Sequence, residues 1–502
     1  MSAQVTVLLV VLPLICAPIT AMLRGKGSAW FLSFALSLVC LFLSLWVLAD
    51  VVSGNVIHYE LGGWQPPWGI EYRIDALNAL IAVIVSAMAS LAMLYAPKSV
   101  EKEIPEHIEP LFYAAFQLCL LGLLGIALTG DIFNLFVFLE VSSLSSYALI
   151  AMGKHRKALT ASFYYLVLGT MGATFFLIGV GMLYAASGSL NMADILARFA
   201  EFEDLQLVTT SLAFIVVGVA LKAAVFPLHS WLPSSYSQAP SVVSVFLAAS
   251  ATKVAIYVLI RCLFNVYPME YWTSIVLPDL LVGVGCVGIL YGSFRAFGQL
   301  DMKRLLAYSS VAQIGYMMVG IGLINQTAMT ATLLHLFNHA LIKAALFMVA
   351  GILLYRANTT NLKDLRGLGR DMPWTLLAMA LAGLSLIGMP GTVGFISKWY
   401  LISGAIETGR WYVVLVVLAS SIIAILYVWK MIEALYFASS DKVSVNGTQD
   451  SKGVNQTPVS MLIAVWVAAL SCVYFGLDSD LPRHAAETAV DALFASSQGA
   501  AQ

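Results

Sequence analysis

Long apolar stretches of about 20 residues recur along almost the whole chain and are separated by short polar segments. About 20 apolar residues in a helix cross a bilayer core of about 30 Å. Only 11% of the 502 residues are charged, against roughly 25% in a soluble domain. We therefore predict an all-α integral membrane protein with about 14 transmembrane helices. The predicted spans lie near residues 5–23, 28–49, 74–96, 111–129, 131–152, 159–185, 208–232, 241–264, 272–293, 305–324, 327–354, 373–405, 411–437 and 458–476.

The basic residues counted with the loops and span ends are distributed unequally between the two sides of the membrane. Cytoplasmic loops collect Lys and Arg, and here sixteen fall on one side and five on the other. This asymmetry predicts an even number of spans, with both termini on the outer side. The sixteen are Arg24, Lys26, Lys98, Lys102, Lys154, Arg156, Lys157, Arg295, Lys303, Arg304, Arg356, Lys363, Arg366, Arg370, Lys442 and Lys452, and the five are Arg73, Arg198, Arg261, Arg410 and Arg483.

Several other classes of protein are disfavoured by charge and motifs. The formal net charge of -1 gives no basic excess for nucleic acid. The six cysteines are widely spaced, and we predict no metal site. Gly283, Gly285 and Gly288 spell G-x-G-x-x-G inside an apolar span, where close helix packing is the better interpretation than nucleotide binding. We expect no cofactor and no enzymatic activity of the chain alone.

Five lysines remain inside the predicted spans, where each costs roughly 2.5 to 3.5 kcal/mol to insert. Glu140 also lies in a span, about nine residues from its start and hence near mid-membrane. An adjacent glutamate and lysine can exchange a proton, because burial disfavours the charged form of both. Lys430 lies late in its span with Glu433 nearby, so we assign it to the interface. The five lysines are Lys222, Lys253, Lys343, Lys398 and Lys430.

Two of these lysines lie beside predicted breaks in their helices. Lys222 precedes Pro227 by five residues, and Lys398 follows a segment that contains Gly388 and Pro390. Proline removes a helical hydrogen bond, and broken helices at membrane depth line hydrated cavities. Two interrupted helices, each with a lysine, indicate two related halves.

His335, His339 and Lys343 are spaced four residues apart and therefore share one face of a helix. Histidine titrates nearest to neutral pH and suits a relay between carboxylate and lysine. With bridging water, such groups would carry protons along the membrane plane. Purely structural alternatives remain open for these residues, as ion pairs or as hydrogen bonds between helices. His229, just beyond the first break, is equally open to both interpretations.

Several stretches resemble one family, the proton-conducting subunits shared by Mrp-type cation/proton antiporters and respiratory complex I. They include "LTGDIFNLFVFLEVSSLSSYALI", "LKAAVFPLHSWLPSSYSQAPSVVSVFLAASATKVAIY", "HLFNHALIKAALFMVAG" and "GMPGTVGFISKWYLI". The resemblance covers about residues 60–440. Within the family, "FNLFVFLE" and "ELGGWQPPWGIEYRID" look most like the D-type subunit of the Mrp antiporter.

The resemblance implies roles for individual residues. In the family, ionisable side chains on the fifth, seventh, eighth, eleventh and twelfth helices carry the proton. The matching positions here are Glu140, Lys222, Lys253, the group of His335, His339 and Lys343, and Lys398, in that order.

The resemblance also implies an architecture and a function. We expect a three-helix segment at 1–110, two inverted five-helix repeats at 111–264 and 265–437, and a last helix with a tail at 438–502. The implied function is a proton-translocating subunit of a multisubunit Na⁺ or K⁺:proton antiporter in the bacterial inner membrane, with other membrane subunits as partners. One alternative is a proton-pumping subunit of a redox-driven complex, such as an NADH:quinone oxidoreductase or a membrane-bound hydrogenase. Another is a membrane scaffold that transports nothing.

Overall fold

The fold was analysed in a computed structural model that describes residues 2–23, 25, 27–437 and 457–499. Within these residues, thirteen helices are long and apolar enough to cross a membrane. The prediction of an all-α membrane protein is therefore confirmed. Four of the basic residues used to predict sidedness lie outside the described residues, namely Arg24, Lys26, Lys442 and Lys452. The first part of the predicted tail segment, at 438–456, lies outside them as well.

The described residues form twenty α-helices and one two-stranded antiparallel sheet. The helices of the first half are α1 (Ser2–Met22), α2 (Ser28–Val51), α3 (Ala76–Glu103), α4 (Glu109–Leu128), α5 (Ile132–Ala151), α6 (Arg156–Ser187), α7 (Met192–Ala197), α8 (Leu205–Ala223), α9 (Trp231–Gln238), α10 (Ser241–Ala249) and α11 (Ala251–Asn265). Those of the second half are α12 (Met269–Thr273), α13 (Leu277–Phe297), α14 (Met302–Gly322), α15 (Gln326–Ala357), α16 (Pro373–Ile387), α17 (Val393–Glu407), α18 (Trp411–Ile432), α19 (Val459–Leu477) and α20 (Asp480–Gly499). Strands β1 (Ile57–Glu60) and β2 (Glu71–Ile74) form a hairpin between α2 and α3.

The twelfth predicted span, near 373–405, is divided into the two short helices α16 and α17. Each has 15 residues and extends about 22 Å, too short to cross the bilayer core alone. Helix α16 ends where Gly388 takes a left-handed conformation, with φ of 90°. Helix α8 ends in the same way at Ala224, with φ of 56°. Both breaks lie where the prolines of the sequence predict them.

A third discontinuity was not predicted. The span near 241–264 consists of α10 and α11, which meet at Ser250 with φ of -124° and ψ of -54°. No proline or glycine marks this position in the sequence. The Ser250 hydroxyl and its backbone N–H both donate to the Phe246 carbonyl, at 2.6 and 2.9 Å, and a serine that bonds back to the preceding turn in this way often bends a helix.

Helices α3, α10, α11, α14 and α15 form the centre of the protein and are buried on nearly all sides. Helices α1, α2 and α18 present large apolar side chains outward, as a surface in contact with lipid or another subunit requires. At Gly285, an added Cβ would lie 2.9 Å from the Gly315 carbonyl oxygen of α14. This approach agrees with the interpretation of the glycine pattern as helix packing.

Two short motifs of the same construction lie at α5 and α14. Asp131 and Asp301 each cap a helix by accepting a hydrogen bond from the backbone N–H three residues on, at 2.7 and 2.8 Å. Each also forms an isolated antiparallel bridge with an asparagine, Asn191 and Asn361 respectively. The second motif follows the first by 170 positions (301 − 131 and 361 − 191). Because α5 and α14 run in opposite directions across the predicted membrane, the same local structure occurs once at each face.

We call the side where the connections 104–108, 152–155 and 298–301 lie the basic face, and the other side the opposite face. The β1–β2 hairpin lies at the opposite face, as does α20, which packs against α3, α11 and α15. The ring of Phe494 on α20 lies 5.6 Å from that of Phe264 at the end of α11. The tail after the last span is therefore partly a helix that covers the ends of the central helices.

Candidate functional site

The first group of buried ionisable residues joins α5 to the end of α8. The Lys222 Nζ lies 3.2 Å from the Glu140 Oε1 and donates to the Ser143 Oγ at 2.7 Å. The Lys222 side chain is 6% exposed and that of Glu140 is 24% exposed. The structure thus brings the predicted pair together and adds a hydroxyl, three residues from Glu140, that sequence reasoning did not identify.

The break after α8 gives Lys222 a favourable position. Lys222 occupies the last turn of α8, where the partial negative charge of the helix end favours a cation. The break after α8 is stabilised by the Trp231 indole, which donates to the Leu221 carbonyl at 2.9 Å. In an unbroken helix, a backbone N–H four residues on would donate to the Leu221 carbonyl instead.

Lys253 lies just after the bend between α10 and α11. Its Nζ donates to the Ala248 carbonyl at the end of α10 and lies 3.4 Å from the Thr252 Oγ1. Its residue is 1% exposed. Among the described residues, no carboxylate forms an ion pair with Lys253. A carbonyl and a hydroxyl accept hydrogen bonds from its ammonium without fixing the lysine in its charged form.

Lys343 is held in a similar way by the neighbouring helix α14. Its Nζ donates to the Leu306 carbonyl at 2.8 Å and to the Ser309 Oγ at 2.5 Å. The residue is fully buried. The Leu306 carbonyl, one turn from the start of α14, also accepts hydrogen bonds from the hydroxyls of Ser309 and Ser310.

His335 and His339 lie on the same face of α15, with their rings stacked at 5.9 Å. The His335 Nδ1 is 2.9 Å from the Ser397 Oγ on α17. Neither ring nitrogen of His339 has a hydrogen-bond partner among the described residues, and the His335 Nε2 has none either. Buried polar atoms of this kind are normally satisfied by water. We therefore expect ordered water as the hydrogen-bond partner of the His339 ring nitrogens.

Lys398 lies at the second broken helix. Its Nζ donates to the Ile387 carbonyl at 2.7 Å and to the Ser421 Oγ at 3.1 Å. It also lies 5.3 Å above the ring of Tyr316, a distance at which the ring stabilises a cation. The left-handed turn at Gly388 exposes the end of α16 and so presents the carbonyl to the lysine.

The central residues form one connected group. The charges of Lys253 and Lys343 both act on His339, and that of Lys398 acts on His335. The Tyr316 ring lies 5.6 Å from that of His335. Lys222 takes part in none of these contacts. It lines a small apolar cavity together with Ala255 and Val258 of α11. The structure therefore places the seven predicted residues in a pair and a central group of five.

Sequence reasoning missed the hydroxyl partners of the buried lysines and histidine. Their side chains carry no charge and cost little to bury beside a helix carbonyl, so the rule that flags charged residues in spans does not find them. The spacing Glu140 to Ser143 is the one local signal, since both fall on one face of α5. The hydroxyls concerned are those of Ser143, Ser309, Ser397 and Ser421.

The residues with open or interfacial assignments lie outside this site. His229 is buried against the rings of Phe226 and Tyr291, at 5.5 and 5.0 Å, and its Nδ1 has no partner among the described residues. Lys430 donates to the carbonyls of Phe297 and Gln299 at the end of α13, as its late position in the span predicts.

Arg261 differs from the prediction. It was counted with the loops of the outer side, but it lies within α11 and is 6% exposed. Asp75 caps α3 and pairs with Arg261 at 2.5 Å. Burial of the guanidinium is possible because this carboxylate and several polar groups surround it.

The described residues were also compared with the side-chain groups that bind metal ions. Those residues contain no group of three or more His, Cys, Asp or Glu side chains that could hold a metal ion. The lysines and histidines of the site are proton donors and acceptors, and their arrangement supports proton transfer.

Comparison with known proteins identifies related chains along nearly the whole length. A relative from Desulforudis audaxviator, named as the N-type subunit of NADH-quinone oxidoreductase, is 39% identical over 485 residues, which are 95% of this chain and 96% of the relative. A relative from Alkalihalophilus pseudofirmus, named as the D-type subunit of a Na(+)/H(+) antiporter, is 31% identical over 391 residues, 78% of each. A chain in the structure of the membrane-bound sulfane sulfur reductase (MBS), an archaeal respiratory membrane complex, has a TM-score of 0.89, 31% identity and 99% coverage of both chains.

The family model described as NADH:quinone oxidoreductase/Mrp antiporter, TM, matches residues 129–424. This range contains all seven residues of the predicted site. The chain belongs to the NADH:quinone oxidoreductase/Mrp antiporter family of membrane proteins.

Proposed function

We propose that this chain is a proton-translocating subunit of a multisubunit monovalent cation:proton antiporter. The observation that carries the proposal is the row of buried lysines and histidines whose partners are carbonyls, hydroxyls and a single carboxylate. Titratable groups are expensive inside a membrane protein and usually mark an ion or proton path. The relative named as part of a Na(+)/H(+) antiporter supports the assignment to an antiporter.

The pair of Glu140 and Lys222 receives or releases a proton at one end of this path. When the pair is charged, its two members neutralise each other at 3.2 Å. When the proton moves from lysine to carboxylate, both become neutral at little cost in desolvation. The Ser143 hydroxyl can donate to a neutral amine as well as accept from an ammonium, so it serves both states.

The central group passes the proton between the two halves. The charges of Lys253 and Lys343 both act on His339, and neither ring nitrogen of His339 has a hydrogen-bond partner among the described residues. Water at these nitrogens would connect the two lysines through the imidazole, since one ring nitrogen donates a hydrogen bond and the other accepts one. His335 then connects this centre to Lys398 through the Ser397 hydroxyl.

We further propose the two inverted repeats at 111–264 and 265–437. The Asp131–Asn191 and Asp301–Asn361 bridges support this, since they have the same construction and lie at opposite faces. The starts of α10 and α18, at Ser241 and Trp411, are separated by the same 170 positions (411 − 241). Inverted repeats meeting at mid-membrane are typical of transporters with alternating access.

The proposed location is the bacterial inner membrane, with both termini outside and the basic face in the cytoplasm. The distribution of Lys and Arg supports this orientation. A cavity of about 460 Å³ opens at the basic face beside Glu103, Ala239 and Lys303. The Glu103 carboxylate accepts from the Ser241 N–H at the start of α10, so the cavity provides an aqueous approach to the helix that leads to Lys253.

A second candidate function is proton pumping within a redox-driven complex. It is favoured by the 39% identity to the relative named as part of NADH-quinone oxidoreductase and by the likeness to a chain of the MBS complex. The chain would then use the same residues, and electron transfer in other subunits would supply the energy. Copurification of the tagged chain separates the candidates: an antiporter predicts partners without redox centres, whereas the second candidate predicts partners with iron–sulfur clusters.

The relay is tested by cation-dependent proton exchange in vesicles that contain the assembled complex. Lys253→Met and Lys343→Met, made separately, should each abolish exchange, because methionine fills the space of a lysine stem but cannot bind a proton. Lys430→Met is the matched control and should retain exchange, since the Lys430 ammonium contacts the carbonyls of Phe297 and Gln299 and the Phe297 ring, away from the central group. If both central variants assemble and exchange at the rate of the control, the chain acts as a scaffold and the proposal is wrong.

A further inference from the structure

A second polar path leaves the centre of the protein along α11, outside the row of residues described above. Lys253, Tyr257, Arg261 and Asn265 follow one another at intervals of four residues on this helix. They therefore lie on one face, drifting by about 40° at each step. All other residues from 254 to 264 except Cys262 are apolar. The stripe is the polar side of α11.

The stripe is long enough to connect Lys253 to the opposite face. Eight residues of helix separate Lys253 from Arg261, a rise of about 12 Å, and Asn265 lies about 18 Å from Lys253. Half of the bilayer core is about 15 Å thick. Asn265 ends α11 and is partly exposed, and Asp75 beside it has a side chain that is 22% exposed. The polar path therefore ends in contact with solvent.

Arg261 and Asp75 close this path near its outer end. The Arg261 guanidinium donates to the Asp75 Oδ1 at 2.5 Å, to the Asn265 Oδ1 at 2.9 Å and to the Tyr257 hydroxyl at 3.2 Å. It also donates to the Asn78 side-chain oxygen. Burial alone would raise the pKa of Asp75, but the Arg261 charge and its hydrogen bond lower it. A carboxylate held in its charged form keeps the guanidinium in place.

The fold itself does not require an ion pair at this position. The residues 170 positions after Tyr257 and Arg261, in the last helix of the proposed second repeat, are Tyr427 and Met431. Both are buried in apolar surroundings. The second repeat thus packs a methionine where the first carries a guanidinium. A test must nevertheless replace both partners of the pair, because removing one partner of a buried ion pair costs far more than replacing both.

We propose that the Arg261–Asp75 pair is the gate of a proton outlet that runs from Lys253 along α11 to the opposite face. The inference rests on the proposed relay, because Lys253 supplies the proton. Tyr257 lies between the lysine and the pair, and its hydroxyl donates to the Ala127 carbonyl at 2.9 Å. In the closed state, the fixed positive charge of Arg261 repels a proton entering the path. Opening requires Arg261 to move away from Asp75, which then accepts the proton.

The decisive measurement is the passive decay of an imposed pH gradient across vesicles that contain the complete complex, without the exchanged cation. Replacing the pair by neutral polar groups, Arg261→Gln with Asp75→Asn, should accelerate the decay by roughly tenfold, since a tenfold change needs only about 1.4 kcal/mol. The matched control is Arg410→Gln with Asp279→Asn, an ion pair at the same face with its carboxylate exposed. The control should leave the decay unchanged.

Adding Lys253→Met to the polar pair should restore the slow decay, because the outlet then has no proton source. Decay that stays fast in this triple variant, or that is not accelerated in the polar pair, overturns the outlet. Should the polar pair fail to assemble, Arg261→Lys is measured instead. A lysine ammonium cannot make all the hydrogen bonds that hold the guanidinium against Asp75, so the gate should open more often and the decay should be faster. Unchanged decay in this variant overturns the proposal equally. The relay is judged separately, by whether Lys253→Met alone abolishes cation-dependent exchange.

Discussion

Replacing Glu140 by glutamine gives a sharp test of the pair with Lys222, because the change keeps the size and polarity of the side chain and removes only its charge. The two charged atoms lie 3.2 Å apart, with 6% and 24% of their side chains exposed. At an effective dielectric constant of about 20, their attraction is about 5 kcal/mol. Loss of one partner from a buried pair costs about 3 to 5 kcal/mol. The two figures agree in order of magnitude.

The lysine can escape most of this cost by losing its proton. A loss of about 3 kcal/mol weakens proton binding at Lys222 by more than roughly a hundredfold, since each factor of ten is 1.36 kcal/mol. We therefore expect Glu140→Gln to assemble in normal amount while its cation-dependent proton exchange falls by about a hundredfold. Exchange is measured from the quenching of a pH-sensitive dye in vesicles, and assembly from the amount of copurified complex.

Two further variants separate function from packing in this test. Glu433→Gln removes an exposed carboxylate at the end of the predicted thirteenth span and should leave exchange unchanged. Glu140→Gln combined with Lys222→Met removes both charges and should assemble at least as well as the single variant, but without exchange. If Glu140→Gln exchanges at more than half the rate of the unmodified protein at equal abundance, the pair does not carry the proton.

Two other predictions follow from single contacts. Ser309→Ala removes one of the two hydrogen bonds of the Lys343 Nζ and should slow exchange by roughly tenfold, since a hydrogen bond to a charged group contributes about 1.5 to 3 kcal/mol. Ser310→Ala should leave exchange unchanged, because the Ser310 hydroxyl bonds only to a carbonyl of its own helix. Gly394→Ala would place a Cβ 1.8 Å from the Ser385 carbonyl oxygen and should reduce the amount of assembled complex several-fold. Gly283→Ala, whose added Cβ would have no atom within 4 Å, should be tolerated. Equal abundance of the two variants would show that the second break is not closely packed.

The membrane-spanning architecture could be predicted because lipid imposes a strong rule on sequence. Each span must be apolar and long enough to cross the bilayer core, and the chain shows this directly. Pro227 and Pro390 indicated the two predicted breaks for an equally local reason, the missing backbone N–H. The bend at Ser250 carries no such residue, so it could not be found from the sequence.

The site could be predicted in part, because a charge inside an apolar run is visible in the sequence but its partners are not. Lys222 and Ser143 are 79 residues apart, and Lys343 and Ser309 are 34 apart. Only tertiary packing brings these groups together. Arg261 was misplaced for a related reason: a basic residue near the end of a span looks like a loop residue until its carboxylate partner, 186 residues away, is known.

The charge balance of the site limits how many of its residues can hold a proton at once. The pair and the central group contain four lysines and two histidines but only one carboxylate, Glu140. Two like charges about 10 Å apart repel by roughly 1.7 kcal/mol at an effective dielectric constant of about 20. Because carbonyls and hydroxyls accept hydrogen bonds without neutralising a lysine, each added proton raises the energy of the others. A proton that enters at one end therefore favours the release of one elsewhere, and this repulsion can couple Lys222, Lys253 and Lys398 although they do not touch.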